Sequence, residues 1–137
     1  MTKSAPERHI LVINDAQEVL EVMKDLLEDE GYRVTIHSTA IRDLGRIKSI
    51  GPDLIVLDHL MGEEEYGWQM VQSIRLSREL ATLPLVVCTA AAKMVQDLQG
   101  HLKAKCVTVV LKPFDIDDLL IAITASFAGN TTQESTN

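Results

Sequence analysis

The stretch DLIVLDHLMG, residues 53–62, decides how this chain is read. Four consecutive apolar residues, Leu54 to Leu57, run straight into a carboxylate at Asp58. A strand with one wet face alternates apolar and polar residues, whereas a strand covered on both faces reads as a continuous Val/Ile/Leu run. The stretch is therefore a buried strand of a parallel sheet, and Asp58 stands where the chain leaves the core.

Working outward, similar runs occur at 10–13 (ILVI), 32–36 (YRVTI), 83–87 (LPLVV) and 107–111 (VTVVL). Only the second alternates enough to suit an edge strand; the other four suit strands covered on both faces. Between the runs lie helix-like segments. Residues 16–30 place Val19, Met23 and Leu26 at i, i+4 and i+7, and Gly31 stops them. A short helix fits 39–48, and another fits 67–80, with Val71 and Ile74 turned inward. Residues 91–102 carry Val95, Leu98 and Leu102 on one stripe. The clearest pattern is the last: Ile116, Leu119, Leu120, Ile123 and Phe127, with Asp115 as cap and Asp118 adding charge near the N-terminus. Five strands alternating with five helices define an α/β, doubly wound parallel sheet with helices on both faces. The expected domain spans residues 8–128, and the polar stretch 129–137 reads as a disordered tail.

The bulk properties narrow the function. At 137 residues, 46% of them hydrophobic, the chain suits one well-cored domain. Its 13 basic and 20 acidic residues give a net charge of −7, which argues against direct nucleic-acid binding. Cys88 and Cys106 each sit inside an apolar run and read as buried thiols of a reducing compartment. No secretory signal or membrane-length apolar stretch is visible, so a cytoplasmic location is expected.

In a doubly wound sheet, ligands bind beyond the carboxyl ends of the strands. Asn14 and Asp15 follow the first run, Asp58 the third, Thr89 the fourth past Cys88, and Lys112 and Pro113 the fifth. Taken singly, each reads most simply as a cap, a turn residue or a solvated side chain. Parallel strands nevertheless place all of them on one edge. Two neighbouring carboxylates resist joint ionisation, and a divalent cation with oxygen ligands, Mg²⁺ above all, relieves that repulsion. A phosphoryl group on Asp58 would then meet a metal, a lysine ammonium and a threonine hydroxyl, which neutralise and orient its oxygens.

With ILVIND at 10–15, DLIVLDHLM at 53–61, VVCTA at 86–90 and VVLKPF at 109–114, the chain resembles the response-regulator receiver domain of two-component signalling, in a single-domain, chemotaxis-regulator-like form. The resemblance implies a flavodoxin-like strand order, 2-1-3-4-5. It implies Asp58 as phosphoacceptor, with Asp15 and the backbone carbonyl of Leu60 as further Mg²⁺ ligands and Asn14 reaching the metal through water. Thr89 is then the hydroxyl that turns to the phosphoryl group, Lys112 the lysine that pairs with it, and Lys112–Pro113 a cis peptide. The implied donor is a histidine kinase or phosphotransfer protein. The implied output is a protein–protein contact, on a face formed by the segment 91–102, the run at 107–111 and the last helix.

Several positions depart from that pattern. Asn14 stands where an acid is usual, which implies weaker Mg²⁺ binding. Gly62 replaces a common proline, and Glu63–Glu65 read as a solvated loop. Val109 stands where many members carry an aromatic switch residue. Leu60 and Ala91 lack groups able to orient water, which implies phosphoryl loss over minutes or longer. Trp68 reads as a packing residue close to the site. Two alternatives stay open. One is a pseudo-receiver that binds partners without phosphorylation. The other is an enzyme on a similar scaffold, either a dehalogenase-type phosphatase, which would want an acid where Leu60 stands, or a flavodoxin, for which NDAQEV is too acidic and lacks glycine.

Overall fold

A computed structural model of the chain describes residues 8–39, 41, 43–58, 66–90, 107–112 and 115–136, without the side chains of 66–68 and 129–136. The elements are β1 (His9–Ile13), α1 (Gln17–Asp29), β2 (Arg33–His37), α2 (Leu44–Ile50), β3 (Leu54–Asp58), α3 (Tyr66–Leu76), β4 (Leu85–Thr89), β5 (Val107–Leu111) and α4 (Ile116–Thr136). The helix expected over 91–102 lies outside the described residues, as do Leu60, Ala91, Cys106 and Pro113.

All strand pairs are parallel, in the order β2-β1-β3-β4-β5. β1, β3 and β4 are buried along their full length, which their uninterrupted apolar composition requires. β2 lies at one edge, as its alternation predicts. β5 lies at the other and departs from the expectation of full cover: Thr108 and Val109 are half-buried and Leu111 is exposed.

The period of two divides the core. Ile10, Val12, Leu54, Val56, Val86, Cys88 and Val110 pack with α1 and α4. Leu11, Ile13, Ile55, Leu57, Leu85, Val87 and Val107 pack with α2 and α3. Each fully buried Leu or Ile contributes about 1.5–3 kcal/mol by leaving water, so neither layer is dispensable.

Local chemistry sets the helix ends. The Asp43 side chain accepts the Gly45 N–H at 2.9 Å and starts α2 five residues later than the sequence suggests. Gly51, at φ 67°, closes α2 in the left-handed conformation that a glycine reaches without strain. Asp115 and Asp118 cap α4 reciprocally: Asp118 N–H donates to Asp115 Oδ1 at 2.9 Å, and Asp115 N–H to Asp118 Oδ2 at 3.3 Å. The backbone of α4 runs to Thr136, through the polar stretch expected to be a disordered tail. Extending an existing helix adds one hydrogen bond per residue, and the only strong helix breaker on the way, Gly129, costs about 1 kcal/mol.

In α1 the buried stripe is Leu20, Met23 and Leu27, not Val19, Met23 and Leu26. The two stripes share Met23 and differ by a modest rotation about the helix axis. The rotation leaves Val19 38% exposed.

A polar cluster around the buried His9 closes the opposite end of the sheet. The backbone N–H of His9 donates to Asp53 Oδ2 at 2.7 Å, and Asp53 N–H donates to the His9 carbonyl at 2.7 Å, bracing β1 against the start of β3. The Arg33 guanidinium lies 3.2 Å from His9 Nδ1 and can only donate, so Nδ1 accepts. Nε2 then carries the hydrogen, 2.7 Å from Thr35 Oγ1. Burial, then the Arg33 charge, lower the His9 pKa from its ordinary value, with Asp53 opposing. Between the lowered folded pKa and the unfolded value near 6.5, the unfolded chain binds more protons. The His9 contribution is therefore complete above about pH 6.5 and is lost as pH falls through the folded pKa. Urea midpoints are expected to fall between pH 7.5 and 5, by no more than about 1.4 kcal/mol per pH unit for this one proton. The fall should be shallower in His9→Gln; equal slopes in the two chains would remove His9 from the account.

No helix among the described residues is long and apolar enough to cross a membrane.

Candidate functional site

β3 ends at Asp58, the continuation of the row Leu54–Val56 that faces α1. The same alternation carries Asn14 (after Ile10 and Val12) and Lys112 (after Val110) to that side. The result is a cleft of about 630 Å³ lined by Asn14, Asp15, Ala16, Val19, Met23, Asp58, Ala90 and Lys112. The exposed Val19 is one wall of this cleft, which accounts for its position off the buried stripe.

Asp58 is 4% exposed and its Oδ1 lies 2.9 Å from Lys112 Nζ, whose side chain is half-exposed. The lysine is tied to the sheet edge through its backbone, since Lys112 N–H donates to the Thr89 carbonyl at 2.8 Å. Asp15 is exposed, in the turn between β1 and α1. Asn14 is buried, with its side-chain oxygen accepting the Ala16 N–H at 2.9 Å.

Thr89 is on the same edge but in a different row. It continues Leu85–Val87, the side facing α2 and α3, and does not line the described cleft. Thr89 is 5% exposed, so a hydroxyl acting in the cleft has to turn across the end of β4. Val109 packs on that same α2 and α3 side. Cys88, paired in register with Asp58, belongs to the α1 side. Burial, then the negative charge of Asp58, push its thiol up to about 12, with Lys112 partly opposing. Such a thiol is inert at neutral pH, as its place in an apolar run suggests. The structure thus joins Asn14, Asp15, Asp58 and Lys112 in one cleft and sets Thr89 beside it; Leu60 and Pro113 lie outside the described residues.

Sequence reading missed Ala16, Val19, Met23 and Ala90 as cleft walls. Ala16 and Ala90 follow site residues directly in the chain, so adjacency could have found them. Val19 and Met23 needed the position of α1 over the sheet.

Comparison with known proteins gives this arrangement its family. The profile of the response regulator receiver domain matches residues 10–124. The chain belongs to the response-regulator receiver family. The receiver is 29% identical over 125 residues to the transcriptional regulatory protein YkoG of Bacillus subtilis, covering 91% of this chain and 53% of YkoG. It spans about half the length of several of the curated relatives it matches, YkoG among them. Among solved structures, the chemotaxis response regulator CheY4 of Vibrio cholerae superposes with a TM-score of 0.74 at 20% identity, over 88% of this chain and 99% of CheY4. The response regulator TrrA of Thermotoga maritima, solved in complex with Mg(2+)-BeF, superposes at 0.70 with 25% identity, over 87% and 98%. The receiver shares with these structures a five-stranded, flavodoxin-like parallel sheet, and it is a two-component signalling domain.

Proposed function

We propose that this receiver accepts a phosphoryl group on Asp58 in a magnesium-dependent reaction, from the phosphohistidine of a histidine kinase or phosphotransfer protein. The observation that carries this reading is the buried Asp58 carboxylate, held at the sheet edge 2.9 Å from Lys112 in a cleft shared with Asp15.

The polar side chains lining the cleft fit magnesium. Asn14, Asp15 and Asp58 present hard oxygen donors. Among the described residues no group of three His, Cys, Asp or Glu side chains gathers as a protein-built metal cage, and Mg²⁺ characteristically takes one or two carboxylates, keeping water and phosphate oxygens for the rest. Asp15 and Asp58 would hold it, with the Leu60 carbonyl as a third ligand. Bound there, it would neutralise the phosphoryl oxygens.

The chain's own residues do the rest. An Asp58 carboxylate oxygen attacks phosphorus; the new P–O bond forms as the donor's P–N bond breaks, and the departing imidazole nitrogen takes a proton from solvent. Lys112 moves from the carboxylate it now pairs to the added phosphoryl oxygens. Thr89 turns its hydroxyl from the α2 side into the cleft. The edge strand β5 pairs with Thr89 at Leu111 and leads directly into Lys112, and α4 packs against it through Val110; the affinity of β5 and α4 for a downstream protein changes if that partner prefers one arrangement. We assign the receiver unit to residues 8–128.

Incubation with acetyl phosphate or phosphoramidate, read by intact mass, tests the reading. One phosphoryl group per chain is expected with Mg²⁺, with incorporation at least about tenfold lower in EDTA or in Asp15→Asn, as loss of one charged metal ligand implies. Equal incorporation with and without Mg²⁺ would overturn the magnesium role. No incorporation at all would favour a partner-binding module that works without phosphate.

A further inference from the structure

The turn between β1 and α1 is built around Asn14. Its side-chain Oδ1 accepts the Ala16 N–H at 2.9 Å, and its own backbone N–H donates to the His37 carbonyl at 3.2 Å. Ala16 is the N-cap of α1, with φ −100° and ψ 109°, and its methyl side chain makes no cap bond. Its carbonyl accepts the N–H groups of Val19 and Leu20 at 3.0 and 3.1 Å. The helix therefore starts on a residue without the usual capping oxygen, and Asn14 grips that residue from two positions upstream, an Asx turn. Asp15 is the one residue enclosed by the grip, and it lines the cleft.

We infer that Asn14 is a positioning residue: the bond from its amide oxygen to the Ala16 N–H fixes the turn that presents Asp15 to the cleft, so Asn14 acts on the magnesium site through Asp15. This rests on the magnesium reading above. The amide at this position supplies the grip without charge. An aspartate could make the same bond and add a negative charge; an alanine could do neither. Grip and charge can thus be separated by substitution.

The test uses the full chain, with amide hydrogen exchange measured by NMR in metal-free buffer and Mg²⁺ affinity measured by titrating amide shifts. In Asn14→Ala the Ala16 amide is expected to exchange about three- to tenfold faster than in the wild type, the loss of one part-buried hydrogen bond. Mg²⁺ should bind more weakly by about the same factor. Asn14→Asp should keep Ala16 protected and bind Mg²⁺ more tightly than the wild type. Should Asn14→Ala fail to fold, Asn14→Ser, whose shorter side chain grips less well, provides the same comparison. An unchanged Ala16 exchange rate overturns the grip. A faster rate with unchanged Mg²⁺ affinity overturns the link to Asp15. Failure of the magnesium reading shows separately, as a wild-type chain that does not respond to Mg²⁺ at all, and that result removes the link to Asp15 as well.

Discussion

Asp58→Asn is expected to lower phosphoryl uptake by at least about 10³-fold under the same donor and Mg²⁺, as removal of an attacking group does elsewhere. The amide has no anionic oxygen to form the new P–O bond. The same substitution should leave stability within about 1 kcal/mol of the wild type. Asp58 is a buried carboxylate near Asp15, so removing its charge relieves desolvation and repulsion while giving up the pair with Lys112. A merely structural ion pair behaves otherwise: breaking one that is truly buried costs about 3–5 kcal/mol. Intact-mass phosphorylation and urea melts on the one variant separate the two roles. Normal uptake with a large loss of stability would assign Asp58 to the scaffold.

Arg75→Ala is expected to have the largest effect on folding outside the apolar core. The Arg75 guanidinium at the end of α3 donates to three carbonyls of the turn leading into β4: Leu80 at 3.1 Å, Ala81 at 2.9 Å and Leu83 at 2.5 Å. Hydrogen bonds from a charged donor contribute about 1.5–3 kcal/mol each when buried. This group is only part-buried and water can replace some of its contacts, so a loss of about 3 kcal/mol, or roughly 10 °C in melting temperature, is expected. Arg75→Lys should recover less than half of it, since a single ammonium cannot reproduce the planar fork. The variant should still take up phosphoryl below its melting point. A change under about 0.5 kcal/mol would class Arg75 with ordinary surface residues.

These two residues mark where the sequence was legible and where it was not. Asp58 was legible because burial on both faces forces a continuous apolar run, and the first carboxylate after the run is where the chain leaves the core. The convergence of Asp15 and Lys112 on it followed from parallel strands alone. Arg75 gave no such signal: side chain-to-carbonyl bonds across five to eight residues have no period, and an arginine at a helix end looks solvated. The His9–Arg33–Asp53 cluster was hidden for a similar reason, since its members are distant in the chain. Residues 16–30 revealed the helix but not its rotation. Stripes containing Val19 or Leu20 both pass through Met23, and only the sheet beneath decides between them. Thr89 was placed at the correct edge, but its row was not considered; counting from Leu85 in steps of two puts it on the α2 and α3 side.

The most direct test of the account is to find where the phosphoryl group goes. Borohydride reduces an aspartyl phosphate to homoserine, which peptide mass spectrometry can place to a single position. The account predicts homoserine at position 58, dependent on Mg²⁺, and unmodified carboxylates at Asp15 and Asp53. Homoserine at either of those two, or spread over surface carboxylates with position 58 intact, would contradict it.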